Sequence, residues 1–287
     1  MSKKTIVSIL VCMLVIPSLI VSAERIDSTK ASTNYDDDVP IWENGDSWTY
    51  TVSEFWVDFT FEGKNIQMVG IIDDFTWTVS DTSGSTYTVD VTGKITATYE
   101  ISIPIGSLVL YVNGTINSPW NRLKGTIIFG KSNLEIEDFN VVITGFTSIK
   151  IYPLPIKFPI LIRITADAEF STPVPLFDFP LHNFKFWNLP EIDITTDVNV
   201  GGIFGIFKIP MTIYTHYGWT PLAFSCLYQE SITVEAGIFD AWKIKSLIGG
   251  FFEYYYAPSV GNLVKIDVNM PHGGIEAELK TTNYDHV

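Results

Sequence analysis

The sequence predicts an all-β fold made of one large, curved antiparallel sheet or half-barrel, with a two-sheet β-sandwich as the alternative. Three observations support this prediction. Apolar and polar residues alternate with a period of two from Ile41 onward, turn sequences separate the alternating runs, and no stretch beyond the N-terminal segment carries a helical stripe. Short connections favour antiparallel pairing, because parallel strands need long crossovers.

Residues 1–23 have the layout of a secretory signal peptide. Lys3 and Lys4 precede an almost unbroken apolar run, and Val21-Ser22-Ala23 supplies the small residues that a signal peptidase requires. We therefore expect an extracytoplasmic protein, either secreted or at the cell surface. The alternative is an uncleaved anchor, which the modest length of the run disfavours, because a stable span needs about 20 apolar residues.

The segment that follows, residues 24–40, predicts a flexible acidic linker, because it is polar and lacks apolar periodicity. Its run Asp36-Asp37-Asp38 lacks the alternating spacing and central glycine of a calcium loop, so we interpret it as solvated charge. Residues 41–287 are then expected to form a single antiparallel β domain without a further membrane span.

Charge and cysteine content exclude some binding partners and an internal disulfide. The formal net charge is -14, and removal of the signal segment takes away two more positive charges. Such an acidic chain is not expected to bind nucleic acid or an anionic membrane surface through charge. Of the 2 cysteines, Cys12 lies in the signal segment. Cys226 therefore has no partner for an internal disulfide, and its apolar neighbours predict a buried thiol.

The first alternating runs place aromatic and aliphatic side chains on a dry face and threonines on a wet face. These runs are residues 48–53, 75–80, 87–92 and 94–103. Turns are predicted at residues 81–84, at Asn113-Gly114 and at Gly273-Gly274. Asn113-Gly114 predicts the tip of a tight hairpin, because both residues tolerate positive φ.

The middle of the chain is rich in proline. Residues 156–164 alternate like a strand but include Pro159, which lacks a donor for the sheet ladder, so we predict an edge strand there. The stretch of residues 173–180, continued by residues 184–187, is irregular and aromatic, and it is expected either to plug the dry face of the sheet or to form a lid over a ligand cavity. Its aromatic side chains are the candidate binding residues for an apolar ligand: Phe177, Phe179, Phe184, Phe186 and Trp187.

Regular strands return in the C-terminal third, with alternating runs at residues 232–234, 242–246, 252–256, 263–270 and 275–280. The 4 histidines are scattered, and the sequence holds no zinc-binding, nucleophile-elbow or phosphate-loop motif. Carboxylate neighbours such as Asp73 and Asp74 are more typical of a strand start or turn. No catalytic residue, metal or cofactor is therefore predicted, and a hydrolase is the least favoured function.

Aromatic residues make up 14% of the chain, and they allow two functional hypotheses. The first is an exported, non-enzymatic protein that binds an apolar, lipid-like ligand in an aromatic concavity of several hundred cubic ångströms. The alternative is a cell-surface structural or adhesion module that contacts protein or glycan, with a packed interior and exposed aromatics or strand edges. A bound sugar would stack on Trp or Tyr beside Asp, Asn or Arg. Asn113-Gly114-Thr115 is also an N-glycosylation acceptor sequence.

Two runs near the C-terminus, residues 234–244 and 254–265, form a turn-and-strand pattern. Gly237 permits a turn before a strand, Ala257-Pro258 ends an aromatic strand, and Gly261 permits a tight turn into the next strand. This pattern, with the opening at residues 42–50, resembles exported curved-sheet proteins similar to the periplasmic lipoprotein carriers. The resemblance implies a large curved antiparallel sheet and carries over no binding residue. The carriers cover their sheet with helices, whereas this chain offers proline-rich aromatic loops.

Overall fold

The structure is a computed structural model that describes residues 39–61, 64–105, 108–117, 122–150, 157–189, 192–202, 208–217, 223–247 and 251–285. The predicted signal peptide and the predicted linker up to residue 38 lie outside the described residues. The strands are β1 (Ser47–Phe61), β2 (Lys64–Asp81), β3 (Thr86–Ile105), β4 (Leu108–Ile116), β5 (Arg122–Gly130), β6 (Ile136–Lys150), β7 (Lys157–Val174), β8 (Lys185–Asn188), β9 (Ile192–Gly202), β10 (Lys208–Tyr217), β11 (Ala223–Val234), β12 (Gly237–Ser246), β13 (Phe252–Ala257), β14 (Asn262–Met270) and β15 (Gly273–Thr282).

All 15 strands belong to one curved antiparallel sheet, which confirms the predicted fold class. The strand order is β10-β9-β7-β6-β5-β3-β2-β1-β15-β14-β13-β12-β11-β8, and β4 pairs with the second half of β3. The pairing of β1 with β15 joins the first and last strands of the chain in the middle of the sheet. No helix among the described residues is long and apolar enough to cross a membrane.

The predicted alternation of dry and wet faces is confirmed. In β1, Trp48, Tyr50 and Val52 are at most 1% exposed, whereas the intervening Thr49 and Thr51 are partly exposed. The buried apolar side chains form one continuous cluster on the inner face of the sheet. Burial of this area is the main stabilising contribution, because apolar surface removed from water contributes about 25 cal/mol per Å².

Trp42 shows how strongly the sheet curves. Its ring lies 5.1 Å from the Tyr87 ring of β3 and 5.3 Å from the Phe129 ring of β5. Its Nε1 donates to the Gly261 carbonyl, 2.9 Å away, at the start of β14. Four strands separate β5 from β14 in the sheet order. One side chain contacts both regions because the inner face of the sheet folds around it.

The polar groups at the ends of the inner-face aromatic side chains mostly form hydrogen bonds. Trp48 Nε1 donates to the Val260 carbonyl at 2.8 Å, and the Tyr50 hydroxyl donates to the Leu263 carbonyl at 3.0 Å. A short 3₁₀ turn at Pro258–Val260 presents the Val260 carbonyl, and Leu263 lies just beyond it in β14. Gly261, with φ of 64°, ends the turn in the left-handed region. The turn features predicted at Pro258 and Gly261 are therefore present. The indole N–H groups of Trp77 and Trp187, by contrast, are buried and have no hydrogen-bond partner among the residues that the structure describes.

Two predicted turns have different outcomes. The turn at residues 81–84 is confirmed: the Asp81 carboxylate accepts hydrogen bonds from the Ser83 amide and hydroxyl, and Gly84 has φ of 68°. The turn predicted at Gly273-Gly274 is misplaced, because Pro271 and His272 make the turn and both glycines lie in β15. A Cβ at Gly274 would come within 2.6 Å of Trp56 Nε1. The Val268 carbonyl oxygen would also lie 2.6 Å from this Cβ. Close approach of backbone and side chain, and not a turn, explains this glycine.

The predicted hairpin tip at Asn113-Gly114 is wrong. Both residues lie inside β4, where Asn113 pairs with Glu100 and Gly114 with Tyr99 of β3. The pairing of β3 with β4 begins at Ile105 and Leu108. Pairing with β3 outweighs the local turn preference of the dipeptide, because each ladder position also satisfies backbone hydrogen bonds.

The edge position predicted for residues 156–164 is also wrong. β7 lies inside the sheet, between β6 and β9. Pro159 pairs with Ser148 of β6, but the pairing with β9 starts at Ile162. Within the described residues, only β6 pairs with Pro159.

Candidate functional site

Residues 173–189, here called the aromatic segment, run from the end of β7 through β8 and divide into a packed part and an exposed part. Phe177 and Trp187 are 3% and 6% exposed, and Phe179 is partly buried against the core. The Phe177 ring lies 6.0 Å from the Tyr254 ring and 5.0 Å from the Tyr256 ring of β13. The packed part therefore covers the inner face of β13, as a plug does.

Polar contacts hold the packed part in place. The Tyr254 hydroxyl donates to the Leu176 carbonyl at 2.6 Å. Burial raises the pKa of Tyr254 well above its usual value, with a smaller contribution from Cys226, so this hydroxyl remains a donor at neutral pH. Lys185 Nζ donates to the Pro180 carbonyl at 3.0 Å and lies 3.2 Å from the Asp178 carboxylate.

The exposed part consists of Phe184 and Phe186, which are 67% and 59% exposed. They flank Lys185, the first residue of β8, which is the last strand in the described order of the sheet. The sequence grouped five aromatic residues as one ligand site. The structure brings Phe177 and Phe179 together, stacks Trp187 on Phe224, and leaves the other two outside. Ligand binding by these residues remains a prediction.

Asn113 is exposed on β4. The sequence predicted that Asn113 lies at a hairpin tip, whereas it lies within a paired strand. Glycosylation of Asn113 remains a prediction. Cys226 is fully buried, as predicted. Among the described residues, no group of three His, Cys, Asp or Glu side chains could hold a metal ion.

The outer face of the C-terminal strands carries a polar network that the sequence analysis missed. The Tyr255 hydroxyl donates to a Glu253 carboxylate oxygen at 2.5 Å and accepts from Lys243 Nζ at 2.8 Å. Lys243 and Lys245 each lie 2.9 Å from the Glu253 carboxylate. On the next strand, Lys265 lies 2.7 Å from Glu278. Cross-strand register places four residues of this face in one row, which we call the paired row: Lys243, Tyr255, Lys265 and Glu278.

The protonation of this network follows from its contacts. Partial burial favours a higher pKa for the Glu253 carboxyl group. Hydrogen bonds from Tyr255, Lys245 and Lys243 together outweigh this effect and lower the pKa to about 2. Burial and the hydrogen bond to Glu253 raise the pKa of Tyr255 to about 12. Burial lowers the pKa of Lys243, yet its bonds to Tyr255 and Glu253 give a net increase. At neutral pH the lysine and the glutamate are both charged, and each is neutralised by its neighbours.

The next row of the same face carries like charges on β14, β15 and β1, and it continues on β13 and β12 with the ion pair of Glu253 and Lys245. Asp267 pairs in register with Glu276, and Glu276 with Glu54, so three exposed carboxylates lie side by side across β14, β15 and β1. We call these three residues the acidic row. None of them takes part in an ion pair within the described residues, although Glu276 and Asp267 contribute to the raised pKa of Lys265, after its hydrogen bond to Glu278. Like charges directly opposite one another on a sheet are destabilising.

A small groove of about 130 Å³ lies along the acidic row. Its other lining residues include Trp56 and Asn269, which sit one register step further along the strands, on either side of Gly274. Trp56 is partly exposed, and its Nε1 edge lies against Gly274, where any side chain would collide with it. The groove thus joins an aromatic ring, an amide and three carboxylates on the outside of the sheet.

Local sequence contained a weak signal for this groove. The wet faces of two runs carry Glu54 with Trp56 and Asp267 with Asn269. Nothing in the sequence sets these two runs beside each other, because β15 lies between them and the register of both pairings decides the neighbours. Comparison of the chain with protein families, curated proteins and solved structures gives no match.

Proposed function

We propose that the chain is an exported, non-enzymatic module that contacts protein or glycan through the outside of its sheet, as a cell-surface structural or adhesion module does. The observation that carries the proposal is the division of the aromatic segment. Phe177 and Trp187 pack into the interior, whereas Phe184 and Phe186 project at the end of the sheet. Adjacent exposed aromatic residues are typical of interaction sites, because such side chains supply large contact area at low conformational cost.

An envelope-binding assay tests this proposal. Fluorescently labelled protein is expected to bind saturably to isolated cell envelopes of the producing organism. The double variant Phe184→Ser, Phe186→Ser should fold normally and lose most of this binding. The matched control Ile238→Ser removes another exposed apolar side chain, 69% exposed on β12, and should bind like the wild type. Equal binding by the double variant would contradict the proposal.

The second candidate function is binding of an apolar, lipid-like ligand. It is favoured by the same two exposed phenylalanines, which offer an apolar surface to an acyl chain. Native mass spectrometry after gentle purification distinguishes the candidates. A stoichiometric lipid that is lost in the double variant supports the lipid-binding function, and its absence from wild-type protein favours the surface module.

Export is part of both candidates and has its own test. When the full chain is expressed with its N-terminal segment, the secreted or surface fraction is expected to begin at Glu24, directly after Val21-Ser22-Ala23. Mass spectrometry of the N-terminal peptide measures this. A mature protein that retains Met1 would favour the anchor alternative.

A further inference from the structure

We propose that two copies of this chain pair edge to edge through β11, as an antiparallel dimer whose two-fold axis passes through Ser231. The pairing surface is the backbone edge of residues 228–234, here called the edge window. The inference goes beyond the proposed function, because the edge window contains neither Phe184 nor Phe186.

The edge window is the part of β11 that a strand covers on one side alone. β12 pairs with β11 as far as the turn at residues 235–236, whereas β8 pairs only with residues 223–226. Just before the window, the Phe184 amide donates to the Leu227 carbonyl at 3.3 Å. Within the part of the chain that the structure describes, no backbone group bonds to the β8 side of residues 228–234. The window is therefore bounded by β8 at one end and by the turn at the other.

The edge window presents a regular row of free backbone groups. Val234 and Gly237 flank a two-residue turn, and a β-turn bonds its first residue to its fourth. Because bonded and non-bonded pairs alternate along an antiparallel ladder, Gln229, Ser231 and Thr233 direct their N–H and C=O groups away from β12. The side chains of these three residues are also exposed. An extended peptide backbone is the partner that satisfies such a row.

A second copy of the chain supplies a strand of matching length and polarity. Antiparallel pairing sets outward-directed residues opposite one another, and an axis at Ser231 aligns the whole window with that of the other copy. Its one charged residue, Glu230, then faces Ile232 of the other copy, so no like charges lie opposite. Within its own chain Glu230 lies 3.5 Å from Lys243. The window is therefore complementary to itself, as a two-fold interface requires.

The opposite end of the sheet has protection that the edge window lacks. The last strand at that end of the described order, β10, carries Lys208 and Pro210. Lysine and proline on an edge strand discourage further pairing. The window contains neither residue, and it ends in three β-branched residues that favour strand pairing: Ile232, Thr233 and Val234. A dimer uses each window once and leaves no such edge for a third copy.

Sedimentation velocity of the purified protein tests the proposal at concentrations from about 1 µM to about 1 mM. We expect a reversible monomer–dimer equilibrium in this range, because pairing through one short strand forms a small interface. Raising sodium chloride from about 0.1 M to about 1 M should strengthen the dimer, since two copies with a net charge of -14 repel each other. A monomer at every concentration and at both salt levels would overturn the proposal.

The variant Ser231→Lys assigns the dimer to the edge window. It places two lysines directly opposite one another when the axis passes through this position, and it should weaken the dimer about fivefold or more. The variant also lowers the net negative charge, so overall repulsion cannot explain a weaker dimer. The control Ser80→Lys adds the same charge at an exposed position of β2 and should not weaken it. An unchanged dimer in Ser231→Lys, or equal weakening in both variants, would overturn the assignment.

Cysteine variants measure the register independently of charge. With oxidised glutathione, Ser231→Cys is expected to form a disulfide-linked dimer, because the Cα atoms of directly opposed residues lie within disulfide reach. The matched control Gln229→Cys is also exposed on β11, but it faces Thr233 of the other copy and should link far less. The buried Cys226 is common to both variants. Equal linking of the two variants, or linking of Gln229→Cys alone, would overturn the axis at Ser231.

Discussion

The inner and outer faces of β13, β14 and β15 are built from the same strands but are stabilised by different interactions. On the inner face, Tyr254 and Tyr256 pack against the aromatic segment in a region closed to water. On the outer face, Glu253 and Tyr255 belong to a network of charged hydrogen bonds. Packing does not depend on pH or salt over the ordinary range, whereas the network does. The inner contacts hold the fold together, whereas the outer network adds a stabilisation that responds to pH and salt.

The outer face contains a second contrast. In the paired row Lys265 lies opposite Glu278, and in the acidic row like charges lie directly opposite one another. The two rows are two residues apart along β14 and β15. The acidic row is therefore not explained by stabilisation of the sheet.

The largest expected effect tests the packed inner face. Phe177→Ala removes a ring that is 3% exposed and should lower the free energy of unfolding by about 3–5 kcal/mol through lost burial and a residual cavity. Urea unfolding at pH 7 and pH 4 measures it, and the loss should be the same at both. The control Phe186→Ala, in the exposed part of the segment, should change stability by less than about 0.5 kcal/mol. Similar losses in both variants would show that the segment is not divided as described.

The next effect tests the charged network. Glu253→Gln removes the carboxylate that Lys243 and Lys245 share. It should lower the free energy of unfolding by about 1.5–3 kcal/mol at pH 7. Because the folded-state pKa of Glu253 is lowered to about 2 from an ordinary value of 4.5, the wild-type advantage is fully present above about pH 4.5. It is lost as the pH falls towards 2. Urea unfolding at pH 7, 4 and 2.5 measures this decline. A difference that is constant with pH would contradict the role assigned to the carboxylate charge.

Two smaller changes in the free energy of unfolding, of opposite sign, test the contrast between the rows. Glu278→Gln breaks the ion pair with Lys265 and should destabilise by about 0.2–1 kcal/mol. Glu276→Gln relieves repulsion from Asp267 and Glu54 and should stabilise by a similar amount. The two variants control for each other, since they remove the same charge from the same strand. Changes of the same sign would remove the distinction between the rows.

The smallest effect concerns salt. Screening weakens exposed charge interactions, and the Debye length falls from about 10 Å at 0.1 M to about 3 Å at 1 M. The stabilisation expected in Glu276→Gln should therefore shrink between 0.1 M and 1 M sodium chloride, while the loss in Phe177→Ala stays constant. Thermal unfolding at the two salt concentrations measures both. A Glu276→Gln effect that is independent of salt would point to packing in place of charge.

Much of the fold was accessible from local sequence because a strand alternates whatever its partner is. The alternation at Trp48, Tyr50 and Val52 marked the buried face of β1 correctly, and Asp81 to Gly84 marked a turn whose hydrogen bonds are local. The predictions that failed involved Asn113-Gly114, Pro159 and Gly273-Gly274. At each of these positions a neighbouring strand, not the local sequence, decided the conformation.

The sequence by itself determined the strand periodicity, the buried aromatic content, the acidic charge and the signal-like N-terminal segment, because each depends on residues close together in the chain. Tertiary structure decided which aromatic residues of the segment are packed and which are exposed, since that depends on contact with Tyr254 and Tyr256 of β13. It also decided that Glu54, Glu276 and Asp267 share one row. Cross-strand register joins residues more than 200 positions apart in the sequence, and the period of a single strand carries no information about it.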